Sequence, residues 1–174
     1  MGLIKDFTKS LIKSIKKERQ MRNYSVIINL TQHNATEEQI KAGVVDLPLQ
    51  YQEKLKKLLM FNELPDCNEI QKRAEAVGDL VEEFLTDDLS PIKDEIKAIM
   101  ELEEDKRIDE FKKLKLAFMI GGAPYLMSAL EEELSYFGTP LYAFTKRVVE
   151  EAKQPDGSIK KVAVFKHEGF VPAC

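Results

Sequence analysis

Apolar residues in this chain switch between two periods, and the switches mark its elements. Ser25-Val26-Ile27-Ile28-Asn29-Leu30 is a nearly continuous β-branched run, the pattern of a strand covered on both faces, as in a parallel sheet. Thr31-Gln32-His33-Asn34-Ala35 breaks the run. Thr36-Glu37-Glu38-Gln39 then has the spacing of a capping box that opens a helix, and Gly43 is placed to end it. Strand, polar loop and capped helix make a first βα unit. Val44-Val45-Asp46-Leu47 is a short second strand. Pro48 leads into a helix through Leu55, Leu58, Leu59 and Phe61. Pro65-Asp66 starts another, whose stripe runs Ile70, Ala74, Val77, Leu80, Val81, Phe84 and Leu85. Residues 87–113 are crowded with Lys and Glu, yet Ile92, Ile96, Ile99, Met100, Ile108 and Phe111 keep helical spacing. They predict a solvated helical excursion and a place for an insertion.

The second half repeats the strand signal. Leu114-Lys115-Leu116-Ala117-Phe118-Met119-Ile120 reads as a buried strand, Gly121-Gly122 as a turn, and Pro124 as a first-turn helix residue. Leu126, Met127, Leu130 and Leu134 face the core, and Gly138 is expected to stop that helix. Pro140 to Phe144 is a third main strand, expected to end at Thr145-Lys146-Arg147. Val148-Val149 and Lys161-Val162-Ala163-Val164-Phe165 flank the turn Gln154-Pro155-Asp156-Gly157 and predict a C-terminal β-hairpin. The sum is one α/β domain over residues 25–174 with a mainly parallel sheet.

Before it, Leu3, Ile4, Phe7, Leu11, Ile12 and Ile15 recur at helical spacing among lysines. Residues 1–24 therefore predict a basic amphipathic helix, suited to an anionic membrane (through residues 1–20) or to a core or dimer mate; the protein contact is preferred. The pattern for myristoylation fails because Asp6 stands where Ser or Thr is needed, and Met21 is a second candidate start. Residues 1–24 hold seven cations against two carboxylates, a net of +5 within a chain of net charge −4, which leaves −9 for the rest. So acidic a body disfavours duplex nucleic acid, where phosphate neutralisation dominates binding. No apolar run reaches a membrane span and no secretory signal is present. Cys67 and Cys174 form no CxxC pair, so the expected compartment is a reducing cytoplasm.

Ligands of open parallel sheets bind beyond the carboxyl ends of strands, where helix N-termini direct N–H groups into the crevice. Three expected strand ends carry unusual residues: Thr31-Gln32-His33, Gly121-Gly122-Ala123 and Thr145-Lys146-Arg147. Gly121-Gly122 lets a phosphate approach the backbone, or serves close packing alone. His33 suits acid, base or phosphate-donor work near neutral pH, or caps its helix. Lys146 and Arg147 offer a point charge and a fork to phosphate, or simply solvate a strand end. Thr31 and Thr145 could bond phosphate or ribose. His167 reads as structural, and with Lys166 reaches a ligand only if the hairpin folds over the crevice. Two histidines without paired cysteines make no metal site, and there is no GxxxxGK[ST] loop, GxGxxG fingerprint or GxSxG elbow.

Asn29-Leu30-Thr31-Gln32-His33-Asn34-Ala35-Thr36-Glu37-Glu38-Gln39 resembles the first-strand motif of small standalone CRISPR-associated ring nucleases. Met119 to Met127 and Tyr142 to Arg147 are similar to further strand ends of that CRISPR-associated Rossmann-like domain. The resemblance spans roughly residues 25–170; the basic N-terminal helix and residues 87–113 depart from it. It implies a Rossmann-like three-layer fold, a homodimer, and a cyclic oligoadenylate bound across the two copies. It further implies cleavage without metal or cofactor, by attack of a ribose 2′-hydroxyl on the adjacent phosphate. His33 and Lys146 would then be the catalytic residues. Thr31, Gln32, Gly121, Gly122, Ala123, Thr145 and Arg147 would bind ligand, and Tyr125 and Met127 would supply dimer contacts. A sensing or sequestering module with the same crevice is the alternative, as is an interaction protein that works through its basic helix.

Overall fold

In the computed structural model, residues 24–155 and 157–173 are described. The expected basic helix over Leu3 to Ile15, and Cys174, lie outside them. The strands are β1 (Val26–Leu30), β2 (Val44–Asp46), β3 (Leu116–Ile120), β4 (Thr139–Lys153) and β5 (Ile159–Pro172). The helices are α1 (Glu37–Lys41), α2 (Leu49–Leu59), α3 (Cys67–Thr86), α4 (Lys93–Met100), α5 (Glu104–Lys113) and α6 (Pro124–Leu134). The strands form one sheet in the order β2-β1-β3-β4-β5. β1 pairs in parallel with β2 and with β3, and β3 pairs in parallel with β4. β5 returns antiparallel along β4. The fold is therefore mixed α/β with a mostly parallel sheet.

The continuous apolar runs are explained by two covered faces. Every residue of β1 and β3 is buried. Val26, Ile28, Leu30, Leu116, Phe118 and Ile120 pack with α2, α3, α4 and α6. Ile27, Ala117 and Met119 point the other way, toward Ala42, Leu141 and Phe170. That division follows the two-residue period of a strand. α3 contributes the widest helix stripe, from Ala74 to Leu85, and its first turn is held by Asp66 accepting from the Glu69 N–H at 2.7 Å. α3 and α6 meet where α3 has no side chain: a Cβ on Gly78 would run into the Glu133 carboxylate.

Four sequence expectations change. β3 begins at Leu116, because Lys115 takes φ 48° and turns the chain out of α5. The excursion over 87–113 divides: α4 buries Ile96 and Ile99, while α5 buries no residue. Gly138 does not stop α6, which already ends at Leu134. Its role is close approach, since a Cβ there would collide with the Leu116 carbonyl oxygen. The largest difference is in β4. It does not end at Phe144 but continues through Thr145, Lys146 and Arg147 to Lys153, as the first strand of the hairpin. A register irregularity between Phe144 and Thr145 marks where it leaves the body of the sheet. Among the described residues, no helix is long and apolar enough to cross a membrane.

Candidate functional site

The carboxyl ends of β1 and β3 lie side by side, with Leu30 opposite Ile120. The next residues stay together: a Cβ on Gly121 would sit 3.6 Å from Thr31 Cγ2, in ordinary contact. Two segments thus form a crest, the 31–36 loop and the Gly121-Gly122-Ala123 turn. Their hydrogen bonding differs sharply.

The 31–36 loop is tied down from beneath by Asn29 and Asp46. Asn29, 4% exposed at the end of β1, donates through Nδ2 to the His33 carbonyl (2.8 Å) and to Asp46 Oδ1 (2.7 Å). Its Oδ1 accepts from the Thr31 N–H (3.0 Å) and lies 2.8 Å from the Thr31 hydroxyl. That hydroxyl, with one proton to give, is also 3.0 Å from the His33 carbonyl. Asp46 at the end of β2 accepts from the Ala35 N–H at 3.0 and 3.3 Å. The capping box forms as the sequence predicts: Thr36 N–H to Gln39 Oε1 at 2.9 Å, and Gln39 N–H to Thr36 Oγ1 at 3.3 Å. With the Thr31, Ala35 and Thr36 N–H groups bonded internally, this half of the crest encloses only about 10 Å³ beside Asn29, Thr31, His33 and Asp46, about the room one water needs. The His33 imidazole points outward and is exposed.

The other half is open. Gly122 takes φ 151°, a conformation other residues rarely adopt, and its neighbour Ala123 is the N-cap of α6. Alanine has no capping oxygen, Pro124 occupies the first turn, and no side chain bonds the helix start. Pro124 has no N–H and the Leu126 N–H donates to the Ala123 carbonyl at 3.0 Å, so the Tyr125 N–H and the positive end of an eleven-residue helix face the crest without a side-chain cap. Behind this turn Tyr142, paired with Ile120, donates to Glu131 on α6. Burial first, and that carboxylate second, push its hydroxyl up to about 12.

Of the expected site residues, Thr31, Gln32, His33, Gly121, Gly122 and Ala123 are brought to the crest. Thr145, Lys146 and Arg147 are not. They are exposed on the hairpin, where they oppose His167, Lys166 and Phe165. Lys146 lies four residues beyond Tyr142, the last β4 residue paired with β3, hence about 13 Å farther along the strand. His167 is buried, 4.6 Å from the Phe170 ring, as its structural reading expects. Tyr125 packs edge-on against Phe61 at 5.1 Å, and Met127 joins the main core. Cys67 is exposed at the start of α3. Among the described residues no group of three or more His, Cys, Asp or Glu is arranged to hold a metal ion.

Sequence reasoning missed Asn29 and Asp46 as organisers of the crest. The available signal was a polar residue inside each of two apolar strands; that they face each other follows from the register Asn29 to Asp46. Roomier grooves, of about 370 and 650 Å³, lie between α5 and the α6–β4 connection and between α4 and α5. The first of these is at the opposite end of the sheet from the crest, beside Leu116 and Thr139.

The model of one protein family, described as Uncharacterized protein MJ1673 family, matches residues 25–171, from β1 into β5. No curated protein and no solved structure matches the chain.

Proposed function

The chain belongs to the Uncharacterized protein MJ1673 family, and from its crest we propose that it binds a phosphate-bearing nucleotide, of the cyclic oligoadenylate class, beyond β1 and β3. The observation that carries this reading is the uncapped start of α6 behind Gly121-Gly122, set directly against Thr31. Backbone N–H groups at a helix N-terminus bind anions without a cationic side chain. The strand order adds support. The chain leaves β1 toward β2 and leaves β3 toward β4, so the crest sits where the winding of a Rossmann-like doubly wound sheet reverses, the place where such sheets bind ligands.

In this reading phosphate rests on the Gly121–Tyr125 turn, Thr31 borders it, and Gln32 and His33 form the rim toward base or ribose. A homodimer would cover the shallow crest from above. Cleavage needs the ribose 2′-hydroxyl held in line with its phosphate, with His33 as the acid–base side chain. Lys146 would not share that work within one copy, given its place on the hairpin. That separation favours binding as the primary act, and sensing or sequestration as the second reading.

Calorimetry with cyclic tetra-adenylate, followed by chromatography of the mixture, tests both. Binding is expected, and Gly121→Ala should weaken it about tenfold while leaving the unfolding temperature unchanged, because the added methyl meets Thr31 at an ordinary distance. A linear product that His33→Ala abolishes selects the enzyme; binding without product selects the sensor. The absence of both heat and product removes the proposal.

A further inference from the structure

Past Tyr142, β4 has no β3 neighbour, and β5 is the edge strand of the sheet. Residues 145–167 therefore project as a two-stranded ribbon, paired from Thr145–His167 to Lys153–Ile159. Nine residues per strand make it about 30 Å long. A lone hairpin of this kind is marginal in water unless one face is covered. Yet both faces carry apolar side chains. Val149, Phe165 and Ile159 share one face and are 61%, 67% and 67% exposed. Val148, Val164 and Val162 lie on the other.

The charge of the ribbon is opposite to that of the body. Lys146, Arg147, Lys153, Lys160, Lys161 and Lys166 stand against Glu150, Glu151 and Asp156, a net of +3 over residues 145–167. Residues 25–144 and 168–174 hold 13 cations against 25 carboxylates, a net of −12. Among the described residues one ion pair, Lys166 with Glu150, uses charge within the ribbon. Arg147, Lys153 and Lys161 share the face of exposed Val149 and Phe165, against Glu151 alone, which calls for a partner both apolar and acidic.

We infer that this ribbon is a dimerisation arm, laid by its Val149–Phe165 face on the acidic body of a second copy. The second copy supplies the matching charge, and two-fold symmetry lets each arm serve the other body. Open strand edges on the ribbon add backbone groups for the contact. A nucleic-acid strand fits less well, because its phosphates would also meet the −12 body. The inference rests on the arm alone and is independent of what the crest binds.

Sedimentation equilibrium of the full chain tests it. The expected result is a species of twice 19.9 kDa, whose dissociation constant rises from about 0.05 to about 0.5 M salt as charge is screened. Val149→Glu with Phe165→Glu should weaken association about 100-fold with the circular dichroism of the wild type. Lys153→Glu with Lys161→Glu, both exposed on that face, should weaken it in the same direction and guards against a misfolded double variant. A monomer at all salts overturns the inference. So does a dimer unchanged in both variants, or a monomer that takes up an oligonucleotide through the arm.

Discussion

Asn29 Nδ2 donates to Asp46 Oδ1 at 2.7 Å, one strand across, and this bond sets the shape of the loop that carries His33. Both Nδ2 protons of Asn29 are donated, its Oδ1 accepts from the Thr31 N–H and lies 2.8 Å from the Thr31 hydroxyl, and the side chain is nearly inaccessible. Asn29→Ala strips partners from Asp46, Thr31 and the His33 carbonyl together, and should cost about 2–3 kcal/mol in urea unfolding at neutral pH. Asn29→Asp should cost at least as much there, because it sets a second carboxylate against Asp46. The raised affinity of that pair for a proton should return part of the loss on acidification. A deficit for Asn29→Asp that does not shrink between pH 7 and pH 5 (both chosen to bracket about one protonation) would show that the two groups do not face each other.

Glu133 offers a pH effect of defined sign. Burial in the α3–α6 contact raises its carboxyl above the ordinary 4.5, and Glu75, Asp79 and Glu132 add repulsion in the same direction. The folded state therefore holds this proton more tightly than the unfolded state. The resulting penalty is complete above the raised folded value and vanishes as pH falls below the ordinary one. Glu133→Gln should raise the unfolding temperature at pH 7 by a few degrees and leave it unchanged near pH 4. Scanning calorimetry of both proteins across that range measures the difference directly. A difference that grows toward low pH would contradict the assignment.

Two glycines separate steric need from backbone need. Gly43 takes φ 96° with nothing within 4 Å of an added Cβ. Gly43→Ala should therefore cost about 1–2 kcal/mol, the ordinary penalty of a left-handed residue. Gly138 does not take a left-handed torsion, but its Cβ would meet the Leu116 carbonyl across the β3–β4 contact. Gly138→Ala should cost about 3 kcal/mol, since backbone rather than a side chain must give way. Gly43→Asn would recover part of its loss because asparagine tolerates the left-handed region, whereas Gly138→Asn would not. Denaturant midpoints of the four variants give the ordering.

The sequence by itself determined the elements whose cause is local. The β-branched runs at 26–30 and 116–120, the Thr36–Gln39 capping box, the Asp66 start of α3 and Pro124 at the start of α6 all needed only periodicity and capping chemistry. The meeting of the Thr31 and Gly121 ends followed once those runs were read as parallel neighbours. Only the tertiary structure decided the rest. Thr145-Lys146-Arg147 resembles a strand end because three polar residues follow an apolar run. β5 nevertheless supplies main-chain hydrogen bonds through that stretch, and a ladder bond does not depend on side-chain polarity. That moved Lys146 and Arg147 off the crest and onto the arm. Likewise Asn29 and Asp46 are visible as polar interruptions of apolar strands, but which groups they satisfy depends on register between residues 17 apart. The crest's open half was settled the same way. Asn29 and Asp46 hold the loop around His33 from neighbouring strands, while no side chain caps the start of α6.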